Sequence, residues 1–130
     1  MCALNVVDDV KYAKTDEWAK LEDGEIIIGI SDYAQDALSD VALIELPELG
    51  ATVTAGQRFG SVESVKSASD VHSPVSGTVT AVNMEIKNDP ETVNKDPFGS
   101  GWFIRVKPNN LTELDSLMDA TAYAAYCASR

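Results

Sequence analysis

Glu63-Ser64-Val65-Lys66-Ser67-Ala68-Ser69-Asp70 and, after Val71-His72, Ser73-Pro74-Val75-Ser76-Gly77 form the stretch on which the reading of this chain turns. Arg58–Ser64 and Ser69–Ser73 read as short strands, and the small residues of Val65–Ala68 read as the turn between them. Pro74 and Gly77 end the second strand and introduce a third, Gly77–Val82. Lys66 then falls at an exposed turn between the strand ends Val62–Ser64 and Ser69–Val71. Gly56 and Gly77 lie at nearly equal sequence distances on either side of it, and Val53–Gly56 and Pro74–Gly77 occupy related positions. The flanks therefore read as two similar hairpin halves that meet at the lysine.

Outward from this hairpin the strand signals continue. Glu25–Ile30 is β-branched and bounded by Gly24 and Ser31, Val41–Leu46 is stopped by Pro47, Thr52–Thr54 is short, and Trp102–Lys107 is ended by Pro108. Such evenly spaced short strands predict a small β-sandwich or barrel. The period changes over Ser31–Ser39, where Asp32 and Gln35 have capping-box spacing and Tyr33, Ala34, Ala37 and Leu38 fit one helical face. Pro90–Val93 reads as a helical turn. From Leu111 to Cys127 a C-terminal helix is expected, with Leu111, Leu114, Leu117 and Met118 on one face and Ala-rich helix formers after them. The expected fold is mainly β, with short peripheral helices, in one domain spanning residues 1–130, a length typical of a single core.

The charge narrows the function. Ten Lys and Arg against 21 Asp and Glu leave a net charge of −11. Nucleic-acid affinity rests on clustered cations at phosphates, and this chain has no such cluster. The same balance disfavours anionic membranes, and no apolar run approaches the ~18 residues of a membrane span. An acidic surface keeps copies apart and steers toward basic faces of partner proteins. Met1–Val10 carries Asp8 and Asp9 and no basic leader pattern, so no targeting peptide is expected. Cys2 and Cys127 have neither zinc nor CxxC spacing. They read as two thiols of a reducing compartment, with an end-to-end disulfide as the alternative.

A surface lysine is ordinarily a solvated charge. Lys66 differs in standing at a predicted hairpin tip, among the small residues Ser64, Ser67, Ala68 and Ser69, between strands that would hold the turn rigidly. An acylating ligase could reach such an amine. His72 is the single histidine. With no nearby Cys it reads as a solvated or half-buried strand residue rather than a metal ligand. Trp18 and Trp102 read as core aromatics. No nucleophile–base constellation or phosphate loop is present, and no carboxylate pair stands out as a catalytic dyad.

The lysine segment resembles the lipoyl attachment segment of glycine cleavage H-proteins, and the likeness continues in order along the chain. Lys11-Tyr12 and Glu17-Trp18 match the family's N-terminal segment, and Gly29-Ile30 with Tyr33-Ala34-Gln35 matches its first helix start. Glu45-Leu46-Pro47 with Gly50, Val82-Asn83, Val93-Asn94 with Asp96-Pro97, Gly101-Trp102 and Asp119-Ala120-Thr121-Ala122-Tyr123 follow. The resemblance covers residues 11–126. Four positions depart from the family pattern: Asp16 stands where His is usual, Ser39 replaces a Gly, Ser67 an Ala and Phe98 a Tyr.

The resemblance implies a lipoyl/biotinyl-type barrel-sandwich hybrid and a non-catalytic carrier of the glycine cleavage system. Lipoate would be joined to Lys66, and Glu63 would contribute to recognition by the lipoyl ligase or transferase. The arm would carry the aminomethyl group from glycine decarboxylase (P-protein) to the aminomethyltransferase (T-protein), and dihydrolipoyl dehydrogenase (L-protein) would reoxidise it. Thr15, Glu17 and Asp70 would line a cleft that shelters the cationic end of the loaded arm. The location implied is cytoplasmic, or the mitochondrial matrix for a eukaryotic source. A lipoyl relay serving 2-oxoacid dehydrogenases needs the same modified lysine and is the alternative function. Biotinyl lysines usually have Met on both sides; the flanking Val65 and Ser67 favour lipoate.

Overall fold

The computed structural model describes residues 6–130. The strands are β1 (Lys11–Tyr12), β2 (Glu17–Glu22), β3 (Glu25–Ile30), β4 (Val41–Glu45), β5 (Thr52–Val53), β6 (Arg58–Ser64), β7 (Ala68–His72), β8 (Gly77–Val82) and β9 (Ile104–Pro108). The helices are α1 (Asp32–Leu38), α2 (Glu85–Asn88), α3 (Glu91–Lys95) and α4 (Ala120–Ala128), with a 3-10 helix at Leu111–Ser116. A six-stranded antiparallel sheet runs β1-β2-β3-β9-β8-β5, and a three-stranded one runs β4-β6-β7. The expected mainly β architecture is the one found.

Alternation explains how the sheets meet. Ile26, Ile28 and Ile30 of β3 point inward with Val79 and Val106 of the large sheet, and Ile44, Val62 and Val71 come from the small one. These residues form one apolar core shared by both sheets, whose removal from water is the main favourable term in folding. A second cluster lies on the outer side of β2 and β3. Trp18, Tyr12, Tyr123 and Cys127 are buried there, with the Tyr12 and Tyr123 rings stacked 4.3 Å apart. Burial pushes the Tyr12 phenol up to about 12. Trp18 lies over Gly29, its cross-strand partner, where a Cβ would come within 2.6 Å of the indole. Cys2 lies outside the described residues, so the end-to-end disulfide does too.

Three expectations need correction. First, residues 17–22 form a full strand and residues 11–12 a short one, where the sequence pattern predicts none. Asp23 and Gly24, both at positive φ, turn β2 into β3 as a two-residue hairpin loop. Second, α1 is capped by Ser31, whose side chain accepts from the Ala34 N–H, and not by an Asp32 capping box. Gln35 instead donates from its side chain to Asp32 Oδ1 at 2.7 Å. Third, the helix expected over 111–127 is broken. Leu117 is extended and Met118 exchanges two 2.8 Å backbone hydrogen bonds with Tyr12. Asp119 then caps α4 by accepting from the Ala122 N–H. The edge of β1 claims the Met118 backbone, and a strong N-cap restarts the helix after it. Leu111, Leu114, Leu117 and Met118 consequently share no face: Leu114 and Leu117 pack on the first core, Met118 on the second, and Leu111 is exposed. The remaining strand ends differ from expectation by one or two residues, and α2 adds a turn that was not anticipated.

Candidate functional site

β6 and β7 pair as a tight hairpin in the register Glu63↔Ala68, Val62↔Ser69 and Gly60↔Val71. Its turn is held from within. The Ser64 N–H donates to the Ser67 carbonyl at 2.7 Å, and the Ser67 N–H donates to Ser64 Oγ at 3.1 Å. Val65 and Lys66 are left at the tip, both exposed, with Val65 at 84%. The root of the hairpin is tied where the two Gly-containing turns meet: Gly56 N–H donates to the Ser73 carbonyl, Ser73 N–H to the Gln57 carbonyl, and Ala55 N–H to Ser76 Oγ, each at 2.8–2.9 Å. The sequence echo around Lys66 thus corresponds to two turns that lie side by side beneath it. Glu63 is exposed on β6, beside Ala68 of β7 and Leu43 of β4.

A cleft of about 220 Å³ opens between this hairpin, the loop before β2 and α1. Ile30, Ala34, Leu38 and Val62 give it an apolar wall, and Thr15, Asp16, Glu17, Ser67, Ser69 and Asp70 give it polar edges. Thr15, Glu17 and Asp70, remote in sequence, therefore come together on one cleft that begins next to Lys66.

The three cleft carboxylates are in different electrical settings. Asp70 accepts from Arg58 Nε at 3.0 Å, and Arg58 also holds Glu45 at 2.6 Å. Asp16, at φ 78°, accepts from both terminal nitrogens of Arg130 at 2.7 and 3.0 Å and from the Tyr123 hydroxyl at 2.8 Å. That guanidinium also lies 4.2 and 4.3 Å from the Tyr33 and Tyr126 ring centres. Glu17 is 1% exposed and has no Lys or Arg partner among the described residues. Its Oε1 accepts from the Thr15 hydroxyl and its Oε2 from the His72 backbone N–H at 2.8 Å. Burial raises its carboxyl above the ordinary range, while the bonds from His72 and Thr15 pull it back down.

His72 is half-buried, as expected. Its place beside Glu17 was not legible, because the two residues lie on strands far apart in sequence. The Asp16–Arg130 pair carried no sequence signal either. The strand bearing Glu17 did have one: Asp23-Gly24 is a hairpin dipeptide between two β-branched or aromatic runs. Among the described residues, no group of three or more His, Cys, Asp or Glu is placed to hold a metal ion, and no helix is long and apolar enough to cross a membrane.

Comparison with known proteins gives a consistent result. The family model for glycine cleavage H-protein matches residues 10–130. The glycine cleavage system H protein 2 of Pseudomonas aeruginosa is 54% identical over 122 residues, covering 93% of this chain and 94% of that one. The H protein of Acinetobacter baumannii is 48% identical over 122 residues, covering 94% and 98%. The mitochondrial H protein of Flaveria pringlei is 48% identical over 126 residues, covering 97% of this chain and 78% of that one. The crystal structure of the H protein from Mycobacterium marinum superposes with a TM-score of 0.88 at 36% identity, over 95% of this chain and 99% of that one.

Proposed function

The chain belongs to the glycine cleavage H-protein family and is a lipoyl carrier of glycine cleavage; from that premise we propose that Lys66 is its lipoylated residue and that residues 1–130 act as one carrier domain without catalytic activity of its own. The observation that carries the reading is the position of Lys66, exposed at the tip of a hydrogen-bonded hairpin turn and beside the cleft. The turn presents the amine to a ligase, and its internal hydrogen bonds limit the conformations it loses on docking. Glu63, exposed on the same hairpin, is placed to be read by that ligase or transferase.

The residues present suit a lipoyl group. An aliphatic arm with a polar end needs a trough that is apolar along its length and polar at its edges, and Ile30, Leu38 and Val62 with Glu17 and Asp70 provide one. When bound, lipoate supplies the dithiolane sulfur chemistry, and the protein supplies attachment and orientation. Thr15, Glu17 and Asp70 hold and shield the cationic end of a loaded arm. Glu17 contributes most, since its carboxylate is desolvated and not already held by an arginine. An exposed pair at Asp70, shared with Arg58, is worth only about 0–1 kcal/mol.

P-, T- and L-proteins are the proposed visitors to the arm, in the cytoplasm or the mitochondrial matrix. The acidic surface favours basic docking faces on them. Lys66→Arg tests the assignment. It keeps the charge, but a guanidinium that stays protonated cannot be acylated. Intact mass and peptide mapping after incubation with a lipoyl ligase should show one lipoyl group on Lys66 in the wild type and none in the variant. Normal lipoylation of Lys66→Arg would overturn it.

A further inference from the structure

The ring of His72 turns an unpartnered nitrogen toward the neighbourhood of a buried carboxylate. Its Nδ1 is buried, makes no hydrogen bond of acceptable geometry, and lies 3.4 Å from Glu17 Oε2. Among the described residues, an imidazolium at His72 would be the one cationic group within 4 Å of the Glu17 carboxylate. The His72 backbone N–H already donates to the same oxygen. Strand β7 therefore holds Glu17 through one main-chain bond and sets the ring of the same residue beside its carboxylate. The His72 side chain is 31% exposed. With Nδ1 covered, the outer edge of the ring meets solvent and can exchange a proton with water.

Among the described residues, the surrounding charges leave Glu17 with His72 as its one ionisable neighbour. Arg58 of β6 is the cross-strand partner of His72, and its guanidinium is engaged by Asp70 of β7 and Glu45 of β4. In the loop before β2, Asp16 is held by Arg130 and by Tyr123 of α4. On β3, the residue paired with Glu17 is Ile30, which has no charge. Acylation removes the Lys66 charge.

We propose that His72 is a positioning residue that balances the charge of Glu17, and that a primary ammonium entering the cleft takes over this role and releases a proton from the exposed edge of the imidazolium to water. The inference rests on the reading of the cleft as the receptacle for the amine-bearing end of the arm. Glu17 then keeps one cationic neighbour whether the arm is in or out. The exchange carries a direction. Histidine changes charge between about pH 5 and 8. By linkage, occupancy of the cleft by an ammonium rises with pH through that window, and occupancy in turn lowers the midpoint of the His72 titration.

The chain has one histidine, so its ring signals in an NMR titration belong to His72. The test uses the full lipoylated chain with the reduced arm capped on sulfur by 2-bromoethylamine, which ends in a primary ammonium, or by bromoethane, which is neutral. Peptide mapping identifies the capped residue. Isotope-labelled caps allow cross-relaxation to Thr15 and Asp70 to be followed in the same samples. The expected result is cross-relaxation from the ammonium cap and a His72 midpoint lower by about 1 pH unit than with the ethyl cap. Glu17→Gln should abolish that difference. Cross-relaxation with unchanged midpoints would overturn the role of His72 while leaving the cleft as the receptacle. No cross-relaxation and no shift would overturn the reading of the cleft, and the role of His72 with it.

Discussion

Glu17 is the residue whose environment departs furthest from what a carboxylate finds in water. Burial raises its carboxyl above the ordinary value of 4.5, so the folded state holds that proton more tightly than the unfolded chain does. Stability from this source is complete below the unfolded value and is lost as pH rises through the folded one. Glu17→Gln cannot titrate but still accepts hydrogen bonds. In urea titrations, the stability of the variant relative to wild type should therefore rise as pH increases from about 4 to 7, with a slope no steeper than about 1.4 kcal/mol per pH unit. A flat difference across that range would mean that the carboxylate is solvated. The sequence marked Glu17 through the family resemblance that its Glu-Trp dipeptide helps carry, but not as desolvated, since desolvation depends on strands β2 and β7 coming together.

At the level of elements, the hairpin and the C-terminal segment behaved differently. The β6–β7 hairpin was readable because its signals are local: small residues at the turn, strand formers on both sides, Pro74 and Gly77 as punctuation. The helix expected over 111–127 misled because periodicity cannot register a distant competitor for the backbone. Met118 bonds to Tyr12 instead of continuing the helix. Its restart then rests on Asp119, whose Oδ1 accepts from the Ala122 N–H at 2.8 Å. Asp119→Ala should cost about 1 kcal/mol, the usual value of an N-cap. Urea unfolding should report the loss, and Asp119→Ser should recover most of it. A cost near zero for the alanine variant would show that packing of Tyr123 and Cys127 alone sets the start of α4.

Across the whole molecule, one run of hydrogen bonds ties α4 to the loop that carries the cleft residues. The Ala34 N–H donates to Ser31 Oγ at 3.2 Å, and Ser31 and Tyr123 share a bond of 2.6 Å. Tyr123 donates to Asp16 Oδ1, and since a phenol has one proton, Ser31 is the donor to Tyr123. A phenol keeps its proton at neutral pH, and burial pushes that of Tyr123 further above its ordinary range. Tyr123→Phe preserves the stack on Tyr12 but strands Ser31 and removes one donor from Asp16. It should destabilise the fold by about 1–3 kcal/mol. It should also raise amide exchange in residues 13–16 more than in the β6–β7 hairpin. Equal exchange in both segments, with unchanged stability, would dissociate the tie from the cleft.

Local pattern along the chain specifies the mainly β class, the first helix near 31–39, the hairpin with Lys66 at its tip and, through ordered family segments, the carrier role. Each of these rests on neighbours in the chain, or on motifs whose order along the chain survives without coordinates. Packing in three dimensions sets which carboxylate of the cleft is desolvated and which are held by Arg58 and Arg130, brings His72 beside Glu17, and closes Met118 on Tyr12. Those outcomes depend on distances between strands and loops remote in sequence. Electrostatic settings and competition for backbone hydrogen bonds follow distance in space, which local pattern does not encode.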